Sequence, residues 1–231
     1  MNIYGKNSVY EHLNSKNEVI SAVVWEKFSD NKILKLLKEK KIPIKSVKKG
    51  ELDKIEQGNH QGIILKVPEY EYLNIQDVSF DKENFTIVIL DHLEDPHNFG
   101  AIIRTCEASG VDLIIIPNDR SVSVTPTAIK TSSGAINNVN ICKVNNIVKA
   151  IEYLKKEGFW IYALDMNGEN YKNVNFDGKK VIIVGNEGSG ISNLVRKNSD
   201  IIVSLPMVGK INSLNASVAT GIMIYEVMFK N

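Results

Sequence analysis

From its amino terminus the chain alternates short apolar stretches with polar joints. Residues 6–14 put Val9 and Leu13 on one helical face, and Val19–Trp25 (VISAVVW) has the β-branched content of a strand. After the capping types Ser29 and Asp30, NKILKLLKEKK repeats apolar residues at Ile33, Leu34, Leu36 and Leu37, which predicts a helix. Ile42–Val47 reads as a second strand, Glu51–Glu56 as a helical turn, and Gly62–Val67, entered from an NHQG turn, as a third strand. Residues 68–85 hold scattered acids, two tyrosines and no sustained period, the pattern of a linker or connecting arm.

From Phe85 onward the pattern changes. Thr86–Leu90 (TIVIL) and Val111–Ile116 (VDLIII) are continuous apolar runs, as in strands covered on both faces. Helices are expected at Asn98–Ser109, Thr125–Ser133 and Ile147–Glu157, and strands at Val139–Val144, Phe159–Asp165, Val181–Val184 and Ile201–Leu205. Alternating strands and helices imply a parallel α/β sheet, whose ligands gather at the carboxyl ends of the strands.

The stretch Ile201–Phe229 reads as a buried strand, a Pro/Gly loop and a final helix that begins with Asn212, Ser213 and Asn215. From Ala216 that helix is small and apolar, with nothing charged until Glu226, so it is expected to pack on several faces with its polar start enclosed. Enclosed polar groups need partners, and capping needs only one of the three. The stretch therefore reads as a binding site as well as a helix start.

Two further loops follow strands. LDHLEDPHNFGAIIRTCEASG (Leu90–Gly110) has an Asp95-Pro96 turn, Asn98 opening a helix, and Gly100 permitting close approach to another backbone. Taken alone, Asn98 reads as an N-cap and Arg104 as the partner of Glu107 in a surface salt bridge. His92 and His97 are acid–base types, but lone loop histidines are read as turn or surface residues. VGNEGSGIS (Val184–Ser192) has glycines at 185, 188 and 190 but matches neither GxGxxG nor a Walker loop. Its central acid, Glu187, argues against phosphate cradling and suits an Arg, a ribose hydroxyl or a cationic group.

Charge sharpens the division of the chain. Net charge is only +1, yet residues 1–66 carry thirteen lysines against eight acids, which suits a polyanionic partner or a solvated charged face equally. Residues 67–85 hold one lysine and five acids. Cys106 and Cys142 lack metal or redox spacing and read as core residues. The opening MNIYGKNSVYEHL lacks the apolar run of a signal peptide and no segment approaches membrane-spanning length, so a cytoplasmic setting is expected.

The three motifs LDHLEDPHNFGAIIRTCEASG, VGNEGSGIS and SLPMVGKINSLNASVATGIMIYE, in that order, resemble those of the SpoU (TrmH-like) RNA ribose 2′-O-methyltransferases over about residues 86–229. The front section, from IYGKNSVYEHL to NHQGIILKV, is similar to the family's small substrate-binding domain, and the two-domain arrangement resembles the branch acting on a guanosine of 23S rRNA. The resemblance implies an α/β fold: a small N-terminal RNA-binding domain (1–67) like certain ribosomal proteins, a linker (68–85), and a methyltransferase domain (86–231) with a deep trefoil knot, the SPOUT fold. It implies S-adenosylmethionine as cofactor, held by Gly185, Asn186, Leu205, Met207, Leu214 and Asn215, and a homodimer with the active site near the subunit interface. Catalytic roles fall on Asn98, Arg104, Glu187, Ser213 and Asn215: Arg104 at the 2′-hydroxyl and a phosphate, Asn98 and Asn215 holding ribose and loop, Glu187 orienting Arg104 or Asn98, Ser213 positioning substrate. RNA phosphates would meet Lys32, Lys35, Lys45, Lys48 and Lys49, and no metal is required. The alternatives are a tRNA ribose methyltransferase and a non-catalytic RNA-binding assembly factor.

Overall fold

The computed structural model describes residues 1–15, 17–211 and 213–230. The front section runs β1 (Asn2–Tyr4), α1 (Lys6–Asn14), β2 (Ser21–Trp25), α2 (Asn31–Glu39), β3 (Ile44–Val47), α3 (Lys49–Ile55) and β4 (Ile63–Lys66). Its sheet has the order β1-β4-β2-β3, with β2 and β3 parallel and β4 antiparallel to β1 and β2. Alternation along SAVVW buries Ala22 and Val24, which join Val9, Leu13, Ile33 and Leu37 in one core. Asp30, one of the two expected caps, accepts a hydrogen bond from the Ile33 N–H at 3.3 Å and starts α2. The strand β1 was not expected; three residues are too few to show a period. Lys32, Lys35, Lys45, Lys48 and Lys49 are all exposed, on α2, on the edge strand β3 and at the start of α3.

Residues 68–85 lie along the second sheet rather than hanging free. The Leu73 N–H donates to the Ile141 carbonyl at 2.9 Å, Tyr72 Oη accepts from the Val124 N–H at 2.8 Å, and Ile75 and Phe80 are buried in a core with Phe85 and Phe159.

The second sheet follows from β5 (Thr86–Asp91), α4 (Pro96–Ser109), β6 (Leu113–Pro117), α5 (Pro126–Thr131), β7 (Ile141–Val144), α6 (Ile147–Lys156), β8 (Trp160–Asn170), β9 (Lys180–Gly185), α7 (Asn193–Asn198), β10 (Ile201–Ser204) and α8 (Ala216–Phe229). All six strands are parallel, in the order β10-β8-β9-β5-β6-β7. As the continuous apolar runs imply, every residue of β5 and β6 is buried between two layers of helices and loops. Each buried Ile or Leu there contributes roughly 1.5–3 kcal/mol by leaving water. Among the described residues no helix is long and apolar enough to cross a membrane.

Three expected boundaries move. Helix α4 begins two residues before Asn98, because Asp95 caps it by accepting from the His97 N–H at 2.8 Å and Pro96 occupies its first turn. Strand β8 runs to Asn170, past Asp165. Its partner in β10 jumps from Ala163↔Ile202 to Glu169↔Val203, so residues 164–168 loop out between two paired segments. Finally, α8 starts at Ala216, and only one stripe of it (Ala216, Thr220, Met223, Ile224, Val227) is buried. Apolar content on all sides suggested enclosure on several faces; a single chain encloses one.

The two sheets are joined through α5. The Lys130 ammonium lies 5.0 Å from the Tyr4 ring centroid and donates to the Asn59 carbonyl at 3.3 Å, and a Cβ at Gly134 would sit 2.6 Å from Glu11 Cβ. On its other side α5 meets α4 at Gly100, where a Cβ would lie 2.6 Å from Thr131 Cβ and 2.7 Å from the Ala128 carbonyl oxygen. Gly100 thus permits the close approach expected of it.

Near this joint His12 is buried, with Nε2 3.4 Å from the Glu18 carbonyl oxygen and Nδ1 without a hydrogen-bond partner among the described residues. Burial lowers its pKa below the usual 6.5, and the bond to Glu18 offsets this only in part. As pH falls below about 6.5, the unfolded chain therefore takes up the proton before the folded one, and stability present above that pH is lost. Urea midpoints measured at pH 7.5 and 5.5 should fall less for His12→Gln than for the wild-type chain. Equal falls would remove His12 from the account.

Candidate functional site

The site forms where the loops after β5, β9 and β10 converge at the carboxyl end of the second sheet. The loop after β9 is built by its own residues. Asn186 pairs with Gly190 through two backbone hydrogen bonds of 3.1 and 2.8 Å, and its side-chain oxygen accepts from the Gly188 N–H at 2.8 Å. Its side-chain amide donates to the His92 carbonyl at 2.8 Å, which ties this loop to the one after β5. Gly185 is required, since a Cβ there would lie 2.2 Å from the Gly190 carbonyl carbon. A second tie is Asp91, fully buried, which accepts from the Ser192 N–H at 2.7 Å and lies 2.6 Å from His92 Nδ1.

The turn so formed presents Glu187. One of its carboxylate oxygens accepts from the Asn98 side-chain amide, from the Asn215 side-chain amide at 2.9 Å and from the Ala216 N–H at 3.5 Å. Asn215 also donates to Asn98 Oδ1 at 3.0 Å. Asn98 lies in the first turn of α4 and Ala216 is the first residue of α8, so the carboxylate sits against two helix amino termini, where negative charge is favoured. Since Asp95 takes the capping role in α4, the Asn98 side chain is free for this network. In α8 the cap is Asn215, whose Oδ1 accepts from the Ser217 and Val218 N–H groups at 3.0 and 3.3 Å. Asn212 lies outside the described residues.

Beside the network is a cleft of about 370 Å³. Five of the residues expected at a cofactor, Gly185, Asn186, Leu205, Met207 and Leu214, line it together with Ser213. Asn215 is not in its lining; it stands next to Leu214 and faces Glu187. The looped-out residues Leu164–Asn167 of β8 form the opposite wall, and Ala219 adds to it. These went unnoticed because the sequence reading ended this strand at Asp165 and gave the polar residues after it no role, although the carboxyl end of a predicted strand was the available signal. The charged side chains of the lining are the acids Asp165 and Glu187, and no Lys or Arg is among them. Asp165 is held by Arg196 Nη1 at 2.8 Å. Such a lining fits an apolar-bodied, positively charged nucleoside and disfavours a phosphate-bearing one.

One expected catalytic residue stands apart from this network. Arg104 is exposed on α4 and touches neither Glu187 nor, among the described residues, any ion-pair partner; Glu107 instead accepts from Asn138 at 3.3 Å. Ser213 and Leu214 are exposed, as is Asn215, so the polar start of the last helix is open in a single chain rather than enclosed. Among the described residues no three His, Cys, Asp or Glu side chains are grouped to hold a metal ion.

Comparison with known proteins finds relatives along the whole chain. The SpoU rRNA Methylase family matches residues 86–225, and the RNA 2′-O ribose methyltransferase substrate binding family matches residues 2–73. A Staphylococcus aureus protein assigned to the TrmH family of tRNA/rRNA methyltransferases is 41% identical over 236 residues, covering 99% of this chain and 95% of that protein. Among solved structures, the SpoU methyltransferase AviRb from Streptomyces viridochromogenes, in complex with AdoMet, superposes with a TM-score of 0.82 at 18% identity over 99% of this chain and 89% of its own. The A. aeolicus TrmH/SpoU tRNA modifying enzyme has a TM-score of 0.57 at 32% identity, over 64% of this chain and 75% of its own.

Substitutions at Asn215 separate capping from the network. Asn215→Ala should lower stability by about 1 kcal/mol in urea unfolding, whereas Asn215→Ser, which can still cap α8, should keep most of it. An Ala variant as stable as wild type would show that Asn215 does not hold the helix start.

Proposed function

Because the chain belongs to the SpoU rRNA methylase family of RNA methyltransferases, we propose that it methylates a ribose 2′-hydroxyl of RNA with S-adenosylmethionine as donor, the target being a guanosine of 23S rRNA. The observation that carries this reading is the Glu187 network, which joins Asn98 and Asn215 beside a cation-free, largely apolar cleft. When bound, S-adenosylmethionine supplies an electrophilic methyl group on a sulfonium. Gly185, Leu205, Met207 and Leu214 hold its body, and the fixed loop of Asn186 shapes the wall.

The ribose hydroxyl is a poor nucleophile until its proton begins to leave. Asn98 and Asn215 orient the ribose, each fixed by Glu187, so the hydroxyl is positioned in line before reaction. Arg104 serves as a clamp on the RNA phosphate that stabilises developing alkoxide charge, since a guanidinium is a donor rather than a base in proteins. The proton passes to phosphate or water. Ser213 positions the substrate from the open loop.

Residues 1–67 act as the RNA-holding domain, with phosphate contacts from Lys32, Lys35, Lys45, Lys48 and Lys49, and residues 86–231 as the knotted catalytic domain, in the cytoplasm. The ribosomal target is supported by coverage. An AdoMet-bound rRNA methyltransferase from Sinorhizobium meliloti matches 98% of this chain in fold, the A. aeolicus tRNA modifying enzyme 64%. The working unit is a homodimer. Val218, Ile222, Tyr225 and Phe229 form one stripe of α8, each 39–57% exposed, and Val208 and Ile211 extend the apolar surface into the neighbouring loop. Sedimentation should give about twice 25.8 kDa, and Ile222→Lys should halve it; an unchanged single-chain mass for both would remove the dimer.

The direct assay is transfer of labelled methyl from the cofactor to unmodified 23S rRNA and to tRNA transcripts. Wild type should label 23S rRNA, and Arg104→Ala should lose about a hundredfold in kcat with cofactor affinity unchanged. Labelling of tRNA alone would move the target, and cofactor binding without labelling of either RNA would favour an assembly factor.

A further inference from the structure

Of the 28 basic side chains only three are arginine: Arg104, Arg120 and Arg196. Lysine supplies charge as well as arginine does. What arginine adds is a planar fork that grips two oxygens of one phosphate or carboxylate. In a chain that uses lysine almost everywhere, each arginine marks a place where the fork matters. Arg196 has its carboxylate, Asp165. Arg104 belongs to the proposed reaction. Arg120 is left, exposed and paired with nothing among the described residues, although Asp119 adjoins it.

Its backbone points the same way. Arg120 has φ of 48°, in the left-handed region that Gly or Asn occupies at lower cost. The loop around it is fixed on both sides. The Asn118 N–H donates to the Val144 carbonyl at 3.0 Å, and the Val122 N–H and Ser121 hydroxyl donate to the Leu93 carbonyl at 2.7 and 3.2 Å. A strained residue on an anchored loop is a sign of function more than of slack.

Position supplies the third observation. Arg120 follows β6 at the same end of the sheet as the Glu187 network, and Leu93 is the residue before Glu94 and Asp95. Leu93, Glu94 and Asp95 line a hollow with Asn186, Glu187 and Gly188. Glu94, Asp95 and Asp119 would all repel RNA; Arg120 is the one Lys or Arg in residues 91–95 and 118–125. We propose that Arg120 grips a backbone phosphate flanking the methylated nucleotide, holding the strand across the acidic rim on the β5–β6 side of the site. The inference rests on the reading of this chain as an RNA-methylating enzyme, and it names a substrate-holding residue outside the motifs that identify the family.

The test uses Arg120→Ala, Arg120→Lys and Arg120→Gly, the last of which relaxes the backbone while removing the fork. RNA affinity is measured with 23S rRNA and tRNA transcripts at several salt concentrations, alongside methyl transfer and cofactor affinity. Ala and Gly should each weaken RNA binding and raise the RNA KM about tenfold, with kcat within about twofold and cofactor affinity unchanged. The slope of log affinity against log salt should fall by about one. Lys should recover the slope but only part of the affinity. Unchanged RNA affinity and slope in the Ala variant, or wild-type affinity in the Gly variant, would overturn the proposal. If wild type binds RNA but methylates none, the functional reading falls while affinity and slope still decide the role of Arg120. Binding to neither RNA overturns both.

Discussion

A single carboxylate, Glu187, holds together parts of the chain that are 89 and 28 residues away from it. Its place is set by electrostatics as much as by contact: the first turns of α4 and α8 both direct donors toward it. Helix starts carry partial positive charge, which favours a carboxylate beside them, and Glu187 accepts one backbone N–H from α8 and a side-chain amide from α4. Were that acid absent, the Asn98 side-chain amide and the Ala216 N–H would lose the acceptor they share with Asn215. The loop that presents Glu187 is fixed in turn by the Asn186–Gly190 pairing, by Gly185 and by the buried Asp91. On the proposed reading, substrate orientation would rest on an arrangement already held by the protein's own contacts, the kind of preorganisation on which catalysis by positioning depends.

Much of this arrangement was legible in sequence, for identifiable reasons. TIVIL and VDLIII read as strands covered on both faces because they are short, β-branched and continuously apolar, and the stripe in NKILKLLKEKK read as a helix from its spacing. The loops were visible because glycine, asparagine and acids cluster just where apolar runs stop. What sequence could not give were meetings between distant residues. Asn98 looked like a cap, and only the structure shows Asp95 in that role, leaving Asn98 for Glu187. The excursion of β8 was hidden because the sequence reading ended this strand at Asp165, yet it supplies a wall of the cleft. The last helix misled in the other direction. Its uniform apolarity suggested burial, whereas one chain covers a single stripe and leaves the other to solvent or to a partner.

The connection between the two sheets also bears on function. Helix α5 touches Tyr4 and Asn59 on one side and Gly100 on the other, and Gly134 just beyond it meets Glu11, so the front section is separated from the helix bearing Asn98 by one segment. The arm at 68–85 adds its own tyrosine and backbone contacts to the second sheet. An RNA held by the lysines of the front section would thus be presented to the site by a braced joint rather than by a loose tether.

The most direct test of the account is a map of 2′-O-methylated riboses in all RNA from cells that lack this gene, and from such cells supplied with the wild-type or the Glu187→Ala form. The account predicts that one guanosine of 23S rRNA loses its methyl group, that the wild-type gene restores it, and that Glu187→Ala does not. An unchanged map in the deletion, or full restoration by Glu187→Ala, would contradict it.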